Sequence, residues 1–195
     1  LSRYIQQQKN IYFKKIDIIF KSLFDVPKKL KNVLEQVSPI NKIARYIKNA
    51  KSIFYIGRGT MYPLALEAAL KLKEITYKHC EGYPAGELKH GPLALVEKNI
   101  PIIALAPFDE NFFKILSNIQ EIKAREGKVI LITDKKGHKI ASKYCSYSII
   151  MPETNFLTSP IIYSLPVQLI AYRLGVLLNK NIDQPRNLAK SVTVE

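Results

Sequence analysis

The feature that most constrains the fold of this chain is a regular alternation of short apolar segments and helical segments from residue 52 onwards. The segments that predict strands are residues 52–56, 101–106, 128–133 and 147–151, with residues 78–83 as a shorter fifth candidate. The helical patterns between them are residues 63–76, 111–126 and 160–178, with a short helix near residues 86–96. Apolar strands that alternate with such helices favour a parallel sheet covered on both faces.

The amino-terminal part has no strand pattern. Residues 9–24 and 27–36 predict two helices, and residues 41–48 predict a shorter third. These helices lack a sheet of their own, and we expect them to form a lead-in that packs on something that this chain or a missing upstream part supplies. With 195 residues and 47% hydrophobic content, the chain can build one sizeable core and not comfortably two. Its first residue is leucine rather than methionine, which is consistent with a sequence that begins inside a longer protein.

The formal net charge of +14 raises the question of a nucleic acid or an anionic membrane as partner. The lysines are spread along the polar faces of the predicted helices, and no basic stripe interleaved with aromatic residues is present. We therefore expect no nucleic-acid partner. An anionic small-molecule substrate fits the positive field equally well.

Two distant cysteines, Cys80 and Cys145, predict a reducing compartment, so we expect a cytoplasmic protein without disulfides. His79 lies beside Cys80 but lacks the further ligands that a metal ion needs, and we expect no metal site. The most apolar late segment, residues 165–178, contains a proline, a glutamine and an arginine. Since a membrane span needs roughly 18 to 20 apolar residues, we expect no membrane association.

The helix predicted for residues 63–76 carries the most informative pattern. At 100° per residue, an arc of about 60° contains Glu67, Lys71, Glu74 and Lys78, and apolar residues cover nearly all the rest. This predicts a mostly buried helix with one charged stripe. The i,i+4 spacing makes ion pairing of Glu67 with Lys71 and of Glu74 with Lys78 the common interpretation. The alternative is a carboxylate and an ammonium held together at a pocket wall and tuned for proton transfer.

The turn at residues 57–60 reads Gly-Arg-Gly-Thr and joins the first strand to this helix. In parallel sheets ligands bind beyond the carboxyl ends of the strands, and amides at a helix start can receive an anion. The third glycine and the acidic partner of a dinucleotide fingerprint are missing. We therefore expect neither NAD nor another organic cofactor.

The loop at residues 83–92 places Glu87, Lys89 and His90 between glycines and prolines. A single loop histidine is most often solvated or structurally hydrogen-bonded. The neighbouring charges can also adjust its pKa towards general acid or base catalysis.

The terminal segment, residues 183–195, is neither low in complexity nor a run of charge, although chain ends normally fray. Its lysine, Lys190, would be a nucleophilic amine if it docked in an apolar pocket that lowers its pKa.

Three long motifs in order resemble one known family. They are residues 69–75 (ALKLKEI), 85–94 (AGELKHGPLA) and 183–195 (DQPRNLAKSVTVE). From about residue 41 onwards the chain resembles the C-terminal part of the glucosamine-6-phosphate synthases, also called glutamine:fructose-6-phosphate aminotransferases (isomerizing). The resemblance implies a flavodoxin-like α/β fold with a five-stranded parallel sheet, the second of two sugar isomerase (SIS) domains. It divides the chain into a helical lead-in at 1–45, a SIS domain at 46–182 and an active-site tail at 183–195.

The resemblance also implies site residues. Glu74 matches the base that moves a proton between C1 and C2 of the open-chain sugar, and Lys71 matches an active-site lysine. His90 matches a histidine implicated in ring opening, which in the family comes from the neighbouring subunit of a dimer. Lys190 matches the tail lysine that forms a Schiff base with fructose 6-phosphate.

Two further residues belong to the expected substrate site: Glu67 is similar to another acidic residue of that region, and Ala189 lies beside Lys190.

The family's glutaminase domain and first SIS domain, which holds the sugar phosphate, lie outside this sequence. Alone, therefore, the chain is expected to hydrolyse no glutamine and to bind fructose 6-phosphate poorly, working in a homodimer with those upstream domains. The alternative hypothesis is a non-catalytic, stand-alone SIS module that binds a phosphosugar or supports dimerisation.

Overall fold

The computed structural model describes residues 18–186, and its centre is a five-stranded sheet. The strands are β1 (Ser52–Gly57), β2 (His79–Pro84), β3 (Pro101–Leu105), β4 (Lys128–Asp134) and β5 (Tyr147–Met151). They pair in the order β2-β1-β3-β4-β5, and every pairing is parallel. The expected flavodoxin-like arrangement of a parallel sheet between helices is therefore confirmed, and the candidate fifth strand is the edge strand β2.

The register brings three loops together at one end of the sheet. Gly57, the last residue of β1, pairs with Pro84 of β2 on one side and with Leu105 of β3 on the other. The chain turns to opposite sides of β1 at this point, which is where open α/β sheets form a crevice. The turn after β1 and the loops after β2 and β3 therefore start at the same level.

One face of the sheet is covered by four helices. They are α1 (Val26–Leu34), α2 (Val37–Ile47), α3 (Met61–Thr76) and α6 (Ser159–Leu177). Their buried residues share a core with the inward side chains of alternate strand positions, such as Ile53 and Tyr55 of β1. α1 thus packs on α6, and α2 packs on α6 and on strand β5 of this chain's own sheet. Residues 18–24 before them are helical as well.

The other face is covered by two 3₁₀ helices, Ala85–His90 and Pro92–Leu95, and by α4 (Phe112–Ala124) and α5 (Lys135–Ala141). This layer forms a second core with the intervening strand positions, including Phe54 and Ile56 of β1. The two cores alternate residue by residue along β1, as a strand buried on both faces requires.

Two segments differ from the sequence-based expectation. Residues 86–96 form two short 3₁₀ helices rather than one α-helix, because Gly91, with φ of 142°, and Pro92 interrupt them. Helix α5 was not expected at all. Its N-cap is Asp134, whose side chain accepts hydrogen bonds from the amides of Lys136 and Gly137. The glycine inside the first turn hid this helix in the sequence.

Helix α6 is long and apolar enough to cross a membrane by length and composition, with a mean hydropathy of 1.3. Of the 18-residue stretch of α6 with this hydropathy, 44% is buried inside the protein. Its buried residues, among them Ile162, Val167 and Ile170, belong to the core beneath α3 and α2. A core helix of a soluble fold passes the same test, so this property alone does not indicate a membrane segment.

Candidate active site

The charged stripe of α3 forms a compact cluster around Lys71. The Lys71 ammonium lies 2.9 Å from Oε2 of Glu74 and 3.7 Å from Oε1 of Glu67. The Glu74 side chain is 22% exposed, whereas Lys71 and Glu67 are 36% and 45% exposed. Glu74 is therefore the most enclosed acid of the cluster and yet remains reachable from outside.

Lys71 holds Glu74 rather than acting as a free amine. The hydrogen bond to Glu74 is the main reason why the pKa of Lys71 is raised above its ordinary value, and it outweighs partial burial. Lys71 consequently stays an ammonium near neutral pH. The charged hydrogen bond fixes the position of the Glu74 carboxylate and places positive charge beside it.

The expected pair between Glu74 and Lys78 is not formed. α3 ends at Thr76, and Tyr77 adopts a left-handed conformation with φ of 59°, so Lys78 leaves the helical stripe. Its ammonium donates instead to the carbonyl of Ala50 at 2.7 Å, and burial lowers its pKa. The prediction of a Glu74–Lys78 pair was wrong because it assumed that the helix continues through Lys78, whereas it ends at Thr76.

The rest of α3 is less buried than its sequence predicted. Leu66 and Leu70 are 44% and 43% exposed and lie next to the charged stripe. The predicted burial of these two leucines is wrong, because α3 packs on the sheet and on α6 through its opposite side. The cluster of Glu67, Lys71 and Glu74 therefore opens onto an apolar surface.

His90 lies elsewhere in the fold. It ends the 3₁₀ helix Ala85–His90, where its Nδ1 is 2.7 Å from Oε2 of Glu87 and both side chains are largely exposed. Lys89 bonds instead to Glu121 of α4 at 2.9 Å. Since this 3₁₀ helix belongs to the second core and α3 to the first, the sheet separates His90 from Glu74. One chain does not bring these two predicted site residues together.

The crevice at the carboxyl end of β1 is acidic on one side. Arg58 of the glycine turn donates to Oδ1 of Asn118 at 3.2 Å and so is held by α4. A cavity of about 480 Å³ is lined by Gly59, Thr60, Asp109, Glu110, Asn111 and Phe156. Burial raises the pKa of Asp109, but the carboxylates still disfavour an anion here. The anion-binding potential suggested by the glycine turn is therefore not supported by its surroundings.

Comparison with known proteins identifies the family. The SIS domain family model matches residues 46–178, more than half of the chain. The chain belongs to the SIS domain family.

Several curated relatives of this SIS domain share the name of one enzyme. The chain is 54% identical over 173 residues to the glutamine–fructose-6-phosphate aminotransferase (isomerizing) of Bartonella quintana, covering 89% of this chain and 28% of that protein. Against the protein of the same name from Rhizobium meliloti it is 50% identical over 178 residues, covering 91% of this chain and 29% of the relative. The chain thus spans less than a third of the length of these curated relatives.

A solved structure shows a similarity to the same group of proteins. The C-terminal domain of glucosamine-fructose-6-phosphate aminotransferase from Francisella tularensis superposes with a TM-score of 0.84 at 38% identity. The match covers 88% of this chain and 48% of that one. The SIS domain therefore matches part of the C-terminal domain of the larger enzyme.

Two predicted site residues, Ala189 and Lys190, lie outside the described residues of the SIS domain, which end at residue 186. A contact of Arg186, shortly before them in the chain, was not predicted. The backbone amide of Arg186 donates to the Tyr77 hydroxyl at 2.7 Å, and the Arg186 guanidinium lies 4.5 Å from the Tyr77 ring centre. No sequence motif marks this pair, because the two residues are far apart in the chain.

Within residues 18–186, no group of three His, Cys, Asp or Glu side chains is placed to hold a metal ion. His79 contacts the Ser52 hydroxyl at 3.2 Å. Burial raises the pKa of both Cys80 and Cys145 to about 12, so both thiols are poor nucleophiles at neutral pH.

Proposed function

We propose that this chain is the second SIS domain of the isomerase half of a glucosamine-6-phosphate synthase. The complete enzyme would convert fructose 6-phosphate and glutamine-derived ammonia to glucosamine 6-phosphate. The observation that carries the proposal is the Lys71–Glu74 pair, a reachable carboxylate held at 2.9 Å by an ammonium. The similarity to aminotransferases of this name over about nine tenths of the chain supports the same conclusion.

Glu74 is the proposed base. Ketose to aldose isomerisation requires one group that removes a proton from C1 of the open-chain sugar and returns it to C2. A carboxylate does this when it is fixed in place and not fully hydrated, and Glu74 meets both conditions. Lys71 keeps the carboxylate oriented, and Glu67, at 3.7 Å from the same ammonium, adds negative charge on the other side.

Lys190 and His90 complete the proposed chemistry. The Lys190 amine would condense with the sugar carbonyl, releasing water and forming an imine that accepts electrons when the neighbouring carbon loses its proton. His90, paired with Glu87, would assist ring opening. Ala189 would contact the substrate beside Lys190.

The proposed assembly is larger than this chain. Residues 1–45 would connect to an upstream SIS domain that binds the sugar phosphate, residues 46–182 would form the second SIS domain, and residues 183–195 the active-site tail. A glutaminase domain would supply ammonia. A homodimer is proposed because His90 and Glu74 occupy opposite faces of the sheet, so that two copies are needed to unite them.

The test uses the complete enzyme in heavy water and follows deuterium uptake at C1 of fructose 6-phosphate and at C2 of the aldose product. Glu74→Gln is expected to reduce this exchange by about 10²–10⁴-fold, the usual contribution of a general base. Glu153→Gln is the control, since Glu153 pairs with Lys136 on the surface at 3.2 Å. Unchanged exchange in Glu74→Gln would remove the catalytic assignment.

A second candidate is a non-catalytic SIS module that supports dimerisation. The exposure of Leu66 and Leu70 along α3 favours it, because exposed apolar residues on one helix suit a contact with another domain or subunit. This candidate predicts that Glu74→Gln and Lys190→Ala leave the sugar chemistry unchanged. Leu66→Asp would then weaken self-association and alter nothing else.

A further inference from the structure

Tyr77 occupies an unusual backbone position. It follows the last residue of α3 with φ of 59° and ψ of 18°, and its amide closes the helix by donating to the carbonyl of Lys73 at 2.9 Å. Glycine is the residue that adopts this left-handed helix-ending conformation without strain. A tyrosine in a strained conformation points to a role for its side chain.

The Tyr77 side chain meets the segment that follows α6. After α6 the chain turns back, with the amide of Lys180 donating to Gly175 and with Ile182 beside Gly175 at the α3–α6 contact. The segment then reaches Tyr77, whose hydroxyl accepts the Arg186 amide at 2.7 Å. The guanidinium of Arg186 and the ammonium of Lys180 lie 4.5 Å and 5.3 Å from the centre of the same ring. The Tyr77 side chain thus contacts Arg186 through its hydroxyl and its ring, and its ring also faces Lys180, which precedes the terminal segment.

We propose that Tyr77 is a positioning residue that anchors Arg186, near the start of the C-terminal tail, and so restricts where Lys190 acts. This inference rests on the proposed function, because it concerns the lysine that would form the imine. Tyr77 lies three residues beyond Glu74 at the end of the same helix. Lys190 follows Arg186 by four residues, which span at most about 14 Å when fully extended. Anchoring Arg186 therefore limits the volume that the Lys190 amine can search.

A purely structural role for Tyr77 makes different predictions. If its contacts only terminated α3, replacing it with glycine would remove the backbone strain and leave the chemistry of Lys190 untouched. If Tyr77 positions the tail, the same replacement would slow imine formation at Lys190 even where the melting temperature stays the same or rises. The glycine variant thus separates stability from positioning.

The first experiment measures anchoring on the 195-residue chain by hydrogen exchange of the Arg186 amide. Tyr77→Phe keeps the ring and removes only the hydroxyl acceptor, so exchange should quicken about fivefold, the worth of one hydrogen bond. Tyr77→Gly should quicken it further, because the cation–π contacts are lost as well. Tyr172→Phe is the matched control, since its ring faces Arg173 on α6. Equal exchange in all four proteins would overturn the anchoring proposal.

The second experiment measures the consequence in the complete enzyme, by borohydride trapping of fructose 6-phosphate on Lys190. We expect the trapping rate to fall about fivefold in Tyr77→Phe and further in Tyr77→Gly. Arg186→Gln should be non-additive with Tyr77→Gly, because both changes remove the contact between the guanidinium and the ring. Wild-type trapping rates in both Tyr77 variants would overturn the positioning role and leave the proposed function intact. Absence of trapping on Lys190 in the wild type would overturn the proposed function and with it the catalytic meaning of the anchor. The exchange experiment would still decide whether Tyr77 holds the tail.

Discussion

Glu74 and His90 lie on opposite faces of one parallel sheet. Glu74 is carried by α3, which packs in the core that contains Ile53, whereas the 3₁₀ helix that ends at His90 packs in the core that contains Phe54. Neighbouring residues of a strand point to opposite faces, so the sheet itself lies between the two side chains. If the proposed site uses both residues, we expect it to draw them from two copies of the chain.

Mixed dimers should therefore restore activity. In the complete enzyme, Glu74→Gln and His90→Asn are each expected to be inactive as homodimers. After random subunit exchange half of the dimers are mixed, and each has one site with both native residues, so about a quarter of wild-type activity should return. Glucosamine 6-phosphate formation in the mixture measures this.

The control for this experiment is a mixture of two variants altered on the same helix. Glu74→Gln and Lys71→Met both change α3, and their side chains touch. Because one chain supplies both residues to a site, each mixed dimer has one site with each defect, and no native site is regenerated. Restoration in this control, or none in the first mixture, would refute a site shared as described.

Removal of the Lys71 ammonium should lower the free energy of unfolding only slightly, and only at pH values where Lys71 is charged in the folded protein. The hydrogen bond to Glu74 raises the pKa of Lys71 above 10.5, so its contribution is complete below that value and is lost as the pH rises through the higher folded pKa. Since the side chain is 36% exposed, solvent screening limits the contribution to about 0.5 kcal/mol. Urea unfolding of Lys71→Met should show this loss at pH 7, and the loss should shrink steadily above pH 10.5.

Lys73→Met is the matched comparison for this pair. Lys73 is on the same helix and contacts Glu81 at a longer distance, 3.7 Å. Its replacement should change the free energy of unfolding by less than that of Lys71. A loss of several kcal/mol for Lys71→Met at pH 7 would mean that the cluster is a buried structural pair rather than a reachable one.

Asp134 should matter far more for stability than any member of this cluster. Its buried carboxylate accepts from the amides of Lys136 and Gly137 at 2.9 Å and 3.1 Å, and from the Phe108 amide at 2.7 Å. It therefore joins β4, the first turn of α5 and the loop after β3. Asp134→Ala should lower the free energy of unfolding by about 2–4 kcal/mol, because three amides lose their acceptor.

Asp25→Ala provides the contrast. Asp25 also precedes a helix, α1, but its side chain makes no capping hydrogen bond. Its replacement should change the free energy of unfolding by less than about 0.5 kcal/mol. Similar losses for both aspartates in urea titrations would show that helix capping at Asp134 is not the cause.

Much of the fold could be predicted because burial leaves a strong pattern. Strands covered on both faces become continuous apolar runs, and β1, β3 and β4 were identifiable in this way. Edge strand β5 buries only Ile149 and Met151, but its apolar residues still identified it. Edge strand β2, with Glu81 and Gly82 in it, was weaker because only part of it is buried. The Glu67–Lys71 pair was predictable because it depends only on spacing within one helix.

The unpredicted features depend on where helices end and on contacts distant in sequence. The left-handed turn at Tyr77 removed Lys78 from the stripe, and no residue type announced it, since glycine usually marks such an end. The contact of Tyr77 with Arg186 joins residues 109 positions apart. The roles of Glu74, His90 and Lys190 came from the resemblance and remain predictions.

The position of α3 over the sheet depends on Gly82. A Cβ atom at this position would lie 2.7 Å from the carbonyl oxygen of Ala65 and 2.8 Å from the amide nitrogen of Leu66. Both are backbone atoms of α3, so Gly82→Ala must push the helix away from β2. We expect a loss of about 2–3 kcal/mol in unfolding free energy, as overpacking typically costs. His79→Ala, at the exposed start of the same strand, should stay within about 0.5 kcal/mol of wild type.

Because α3 also carries Glu74, Gly82→Ala should lower kcat of the complete enzyme more than it raises KM. A stable Gly82→Ala variant with unchanged kcat would contradict this dependence of the Glu74 cluster on the α3–β2 contact.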